Sequence, residues 1–202
     1  MTRARRLSPR SLSSESALRM LFQEIVICGC GNPLFADDGF GPAVVEELQK
    51  LDLPENVKVI DAGLGGPHFL FTLLAQSDEP VKHLFIIDIA DFGGKPGEIA
   101  IISPDDLPPG KYRDAHSWDL TEPIHQLKNR VKIDIIGCQP KRVSEPEFEI
   151  GLSEEVTEAI PRTVQLVLKM IGVNHGTTII DLREKGEEGT CSEIAGTYGS
   201  SI

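Results

Sequence analysis

Short apolar runs alternate with helically spaced ones along this chain. The stretch "EIVICG" beginning at Glu24 predicts a buried strand. After a glycine-rich turn, Val44, Val45, Leu48 and Leu51 recur at helical spacing, with Pro42 suited to a first turn. "NVKVIDAG" predicts a second strand, "GPHFLFTLLAQ" a helix and "VKHLFIIDIAD" a third strand. That strand is continuously apolar from Leu84 to Ile87, which predicts burial on both faces. "GEIAIIS" predicts a further strand after a Gly/Pro turn. A Pro-rich loop, "PDDLPPGKYRDAHSWD", then leads to a short helix, "LTEPIHQLK", and the strand "VKIDIIGCQP". The last strong element is the helix "SEEVTEAIPRTVQLVLKMIG". Ser153 suits its N-cap, Glu154 and Glu155 suit its positive end, and Pro161 predicts a kink.

Strands alternating with helices imply an α/β fold: a single three-layer domain whose twisted, mainly parallel sheet is flanked by helices on both faces. The predicted domain covers residues 24–172, between a flexible N-terminal extension (1–23) and a loosely ordered tail (173–202). The extension is Arg- and Ser-rich and lacks the apolar centre of a secretory signal. Its composition formally resembles a transit peptide, but a flexible tail is the preferred reading, and Met20 is an alternative start.

Charge and cysteine content narrow the function classes. The chain has 202 residues and a formal net charge of −11, which argues against nucleic acid as a partner. No apolar run is long enough to span a bilayer. None of the four cysteines, Cys28, Cys30, Cys138 and Cys191, forms a CxxC pair. Without a secretory signal, free thiols in a reducing, cytoplasmic compartment are expected. Cys28, Cys30 and Cys138 all end apolar runs and are expected near one another at one sheet edge.

In such folds ligands bind at the carboxyl ends of the strands. This sequence places Asn32, Asp37 and Asp38 there after the first strand, Asp61 after the second, Asp88 and Asp91 after the third, and Gln139 after the last. The Gly29-x-Gly31 turn lacks the third glycine of a dinucleotide fingerprint, and two adjacent acids oppose a pyrophosphate. Converging carboxylates instead favour a cation, and two carboxylates with one imidazole suit Ni²⁺ or Zn²⁺ better than Mg²⁺ or Ca²⁺. His116, in the long loop beside Ser117 and Trp118, is the imidazole best placed by position. His83 and His125 read as structural or solvated, and His68 as a rim residue. Each acid also has a plainer use. Asp37 or Asp38 would cap the following helix, Asp88 would make an Asx-turn, and Asp61 would pin the first turn.

The stretches "GCGNPLFADDGFG", "VIDAG", "HLFIIDIAD", "DAHSWDL", "IIGCQP" and "IGLSEEV" together resemble the maturation endopeptidases of nickel–iron hydrogenases. More narrowly, they are similar to the archaeal type that processes the deazaflavin-reducing hydrogenase. The resemblance implies removal of a C-terminal peptide from a hydrogenase large-subunit precursor after nickel insertion. It implies that Asp38, Asp88 and His116 form the catalytic and metal-binding set, with Asp61 as a further recurrent acid. It also implies that the nickel is supplied by the substrate, with no permanently bound cofactor. Residues 93–118 are the expected specificity loop. Two other readings stay open: an independent hydrolase with tightly bound zinc, and a non-catalytic nickel-dependent chaperone.

Overall fold

The computed structural model describes residues 23–63, 81–106 and 121–173, together with helical residues between 68 and 74. Its strands are β1 (Ile25–Cys30), β2 (Val57–Gly63), β3 (His83–Ile89), β4 (Ile99–Ile102) and β5 (Lys132–Cys138). Three helices are described from end to end: α1 (Phe40–Gln49), α2 (Thr121–Leu127) and α3 (Glu154–Met170). Two 3₁₀ turns, Asp37–Gly39 and Pro104–Asp106, complete the set.

The strands form one sheet in the order β2-β1-β3-β5-β4. Four strands are parallel, and β4 runs antiparallel at the edge, pairing Ile99 with Cys138. The pleat sends alternate side chains to opposite faces. On one face Val26, Leu84, Ile86 and Ile135 meet Phe71, Leu74 and, from α2, Ile124 and Leu127. On the other, Ile27, Phe85, Ile87 and Ile136 meet Phe40, Val44 and Leu48 of α1 and the Val156 stripe of α3. Leu84 to Ile87 are all fully buried, as a central strand covered on both sides requires. Each such Leu, Ile or Phe contributes about 1.5–3 kcal/mol by leaving water. The expected three-layer α/β domain is therefore the observed architecture.

The turn glycines allow close approach of backbone to backbone. A Cβ at Gly41 would come within 2.1 Å of the Cys30 carbonyl oxygen and 2.5 Å of that of Ile87. One at Gly29 would come within 2.5 Å of the Gly41 oxygen. The first turn of α1 thus rests directly on the carboxyl ends of β1 and β3.

Several local expectations are corrected. The N-cap of α1 is Gly39, with no side-chain cap, so neither Asp37 nor Asp38 caps that helix. Ser153 does stand at the N-cap of α3, but its hydroxyl donates to Asp37 at 3.0 Å instead of closing the helix end. Cys28 and Cys30 share one face, with sulfurs 3.8 Å apart, but Cys138 lies on the opposite face. Strand β3 also separates β1 from β5, so the three thiols do not gather.

Candidate active site

The carboxyl end of β1 is flanked by β2 on one side and β3 on the other, and each strand brings an acid to that level. Gly29 pairs with Asp61 of β2 and with Ile87 of β3, so Asp88 stands one residue beyond, level with Cys30. The loop after β1 folds back so that Asp38 sits on Gly31, whose added Cβ would meet the Asp38 carbonyl oxygen at 2.1 Å and its Oδ1 at 3.4 Å. Gly31 has a φ of 114°, which only glycine adopts readily, and this permits the reversal. Asp38 thus follows the carboxyl end of β1, and Asp88 stands at that of β3, the neighbouring strand.

The two adjacent acids of the loop have opposite environments. Asp37 is fully buried. Its Oδ2 accepts from the Lys141 N–H at 2.8 Å, the Arg142 N–H at 2.9 Å and the Ser153 hydroxyl at 3.0 Å. Its Oδ1 accepts from the Ser153 N–H at 2.6 Å. Burial alone would raise its pKa, but these donors outweigh burial and hold it below the ordinary carboxylate value. Asp37 is thus a bolt joining the β1–α1 loop to the start of α3.

Asp38 is half-buried and receives one N–H, that of Asn32, at 2.7 Å. Burial raises its pKa, the Asn32 N–H opposes that rise, and the charge of Glu145 adds to it. Asn32, itself 1% exposed, is fixed by a bond from the Leu34 N–H to its Oδ1 at 3.0 Å. Its backbone is therefore a rigid donor to Asp38.

Asp88, also half-buried, accepts from the following amide of Ile89 at 2.8 Å. The Cys30 thiol reports the local field. Its contact with Cys28 pushes its pKa up, followed by burial and repulsion from Cys28, Asp88 and Asp61. Cys138 is raised to about 11, chiefly by burial. Both cysteines are accordingly protonated thiols at neutral pH.

The other crevice candidates hold loops. Asp61 accepts from the Gly63 N–H at 2.9 Å, an Asx-type turn on its own strand, so it does not pin the first turn. By the pleat it belongs to the α1 face, opposite Asp88. Gln139 is 8% exposed, and its Oε1 takes the N–H groups of Phe92 at 3.0 Å and Gly94 at 3.1 Å. Its Nε2 donates to Asp91 at 3.1 Å. These bonds organise the loop leaving β3. His83 pairs with Asp134 at 2.6 Å at the far end of the sheet, and His125 meets the Pro104 carbonyl at 3.1 Å, so both have structural roles.

His116 and most of the expected specificity loop lie outside the described residues. Among the described residues, no three His, Cys, Asp or Glu side chains cluster closely enough to hold a metal ion.

Beside this crevice lies a cleft of about 430 Å³ between α1 and residues 150–152, walled by Pro42, Ala43, Ile150 and Leu152 with Asp61 at its edge. Reading the sequence missed the segment that closes this cleft. Residues 141–152 fold over the β1–α1 loop through backbone bridges from Phe35 to Glu149 and from Ala36 to Val143. The available signal was the alternation "EPEFEI", which reads as an extended strand with one apolar side.

A family model described as hydrogenase maturation protease matches residues 42–170 of the chain. The chain is 41% identical over 155 residues to coenzyme F420 hydrogenase subunit delta of Methanothermobacter thermautotrophicus, covering 75% of this chain and 96% of that one. It is 29% identical over 143 residues to the hydrogenase 3 maturation protease of Escherichia coli, covering 70% and 86%. The fold matches the crystal structure of a [NiFe] hydrogenase maturation protease from Thermococcus kodakarensis with a TM-score of 0.59 at 27% identity, over 78% of this chain and 99% of that one. Among the described residues, no helix is long and apolar enough to cross a membrane.

Proposed function

The chain belongs to the hydrogenase maturation protease family and is an endopeptidase of that kind, and from this premise we propose that it removes the C-terminal extension of a nickel–iron hydrogenase large-subunit precursor after nickel insertion. The nickel arrives with the substrate, and Asp38, Asp88 and His116 engage it. The observation that carries this reading is the pair of half-buried carboxylates, Asp38 and Asp88, at the carboxyl ends of neighbouring strands. Asp38 is poorly compensated, since burial and Glu145 both oppose its charge. A divalent ion would turn that cost into an attraction.

The chemistry follows from positioning. The enzyme's ligands grip an ion already bound to the precursor, and the scissile peptide is thereby held in one orientation. Orientation of this kind contributes up to ~7–11 kcal/mol of barrier lowering. The substrate's nickel also supplies Lewis acidity toward a carbonyl or a water. A precursor without nickel lacks the bridge and is left whole, which protects unfinished hydrogenase from premature cutting. The protein carries no resident cofactor in this scheme, and its site of action is the cytoplasm.

The test is mass spectrometry of nickel-loaded and nickel-free precursor incubated with the protein. Loss of the C-terminal peptide from the loaded form alone is the expected result. Asp38→Ala, Asp88→Ala and His116→Ala should each lower processing by at least ~100-fold while leaving the circular dichroism spectrum unchanged. Equal cutting of nickel-free precursor, or full activity in the three variants, refutes the assignment.

A further inference from the structure

Residues 141–152 leave β5, cross the β1–α1 loop and return to α3, and they carry the most exposed large apolar side chains among the described residues. Phe148 is 77% exposed and Ile150 81%. Val143 and Leu34 beside them are partly exposed as well. Single exposed apolar residues need no explanation, but a contiguous group marks an interaction site.

This group is held in place. Ala36 N–H donates to the Glu149 carbonyl at 2.7 Å, Glu149 N–H to that of Leu34 at 2.9 Å, and Asp37 N–H to that of Arg142 at 3.3 Å. The Phe148 ring stacks on Phe35 with centroids 5.8 Å apart and planes 18° from parallel. Asp37 fastens the base of the same segment through Lys141, Arg142 and Ser153. The apolar group is therefore presented on a tied ribbon.

The ribbon is continuous with the crevice. Ile150 also walls the cleft against Pro42 and Ala43, and that cleft reaches Ala36 and Gly39, on either side of Asp37 and Asp38. Acids alternate with the apolar positions: Glu145, Glu147 and Glu149 are all exposed. Glu149 is engaged by Arg142 at 2.9 Å. The charge of Glu145 adds to the rise of the Asp38 pKa. The whole chain adds a net charge of −11. A partner suited to this surface has apolar side chains for Phe148, Ile150 and the cleft, and basic groups for the glutamates.

We propose that the ribbon of residues 143–150 and the adjoining cleft form the docking surface for an extended, apolar segment of the precursor flanked by Lys or Arg. The proposal rests on the assigned protease function and names the part of the surface that recognises its substrate. Docking there delivers the precursor chain past Ala36 to the Asp38 crevice. The side chains involved touch substrate away from the reacting atoms, so they act on affinity and leave the chemical step alone.

The experiment compares wild type, Phe148→Ser/Ile150→Ser and Glu147→Lys with the nickel-loaded precursor, with cleavage kinetics read by mass spectrometry. The expected result for the double variant is a KM raised about tenfold or more with kcat within about twofold, since a few anchoring side chains carry most of an interface's binding energy. Glu147→Lys should raise KM at low salt, with the difference shrinking at high salt. Phe148→Leu should restore part of the affinity. Wild-type cleavage with unchanged KM in the double variant and in Glu147→Lys overturns the docking assignment alone. If the wild type neither binds nor cleaves the precursor, the functional assignment falls and docking falls with it. A concentration-dependent dimer in ultracentrifugation that the double variant abolishes would give the patch to a second copy of the chain and overturn the proposal. The double variant removes only exposed side chains, and should its melting profile change, Glu147→Lys carries the test.

Discussion

Replacing Asp37 by alanine should cost this protein a large share of its stability. The carboxylate is fully buried and accepts four hydrogen bonds, three of them from the backbone N–H groups of Lys141, Arg142 and Ser153. Alanine leaves those three donors without their acceptor, the Ser153 N–H in a buried place and the other two part-buried. Each orphaned donor costs ~1–3 kcal/mol. Against this stands relief from burying a charge, which brings the net to about 3–5 kcal/mol, the range seen when one side of a buried charged network is removed. A domain of this size has ~5–15 kcal/mol in total. The assay is urea denaturation followed by far-ultraviolet circular dichroism, with Asp37→Asn as the second variant. Asparagine keeps one acceptor oxygen but turns an NH₂ toward donors, so it should recover only part of the loss. The pH dependence has a definite sign. Asp37 has a depressed pKa in the fold. Its contribution is therefore full above the unfolded carboxylate value of ~3.9 and fades as the pH falls through its lower folded value. The gap between wild type and Asp37→Asn should accordingly narrow in acid. A loss below ~0.5 kcal/mol at neutral pH, or a gap that widens in acid, would refute the reasoning.

Two further predictions follow from neighbouring contacts. Glu145→Gln removes a charge that raises the Asp38 pKa, so the acid limb of kcat/KM for precursor cleavage should move to lower pH, and an unmoved limb counts against Asp38 as the titrating ligand. Gly41→Ala forces a Cβ to within 2.1 Å of the Cys30 carbonyl oxygen, a backbone atom that cannot step aside cheaply. It should cost ~3 kcal/mol or block soluble expression, and an unchanged melting temperature would show that α1 is free to shift.

The layers of the fold were legible because their signal is periodic. Leu84 to Ile87 announced a strand buried on both faces, and Val44, Val45 and Leu48 announced a helix lying on a sheet. The crevice was legible for a topological reason, since parallel strands present their carboxyl ends together. The division of labour among the acids was not. Whether Asp37 is a ligand or a bolt depends on Lys141, Arg142 and Ser153, more than a hundred residues away, and no local pattern reports that contact. The cysteines failed for a related reason. Three apolar runs ending in Cys looked alike, but Cys138 has the opposite parity on its strand and β3 intervenes. Asp61 likewise sits at the right level but on the other face from Asp88.

The pair Asp37-Asp38 shows how one residue type yields two functions at successive positions. Asp37 has its oxygens filled by donors, and its charge is more stable inside the fold than in water. An incoming cation would have to displace those donors and would undo the junction between the β1–α1 loop and α3. Asp38 has one fixed donor, sits half-buried and feels Glu145, so its charge is less stable inside the fold than in water. The same deficit that costs stability in the free enzyme is recovered when a cation arrives. Under the proposed function that cation belongs to the client. The enzyme then gains affinity only for a precursor that carries nickel, while Asp37 keeps the loop from collapsing around an empty crevice. Under the proposed function, specificity for the loaded precursor would follow from leaving one carboxylate under-compensated and satisfying its neighbour completely.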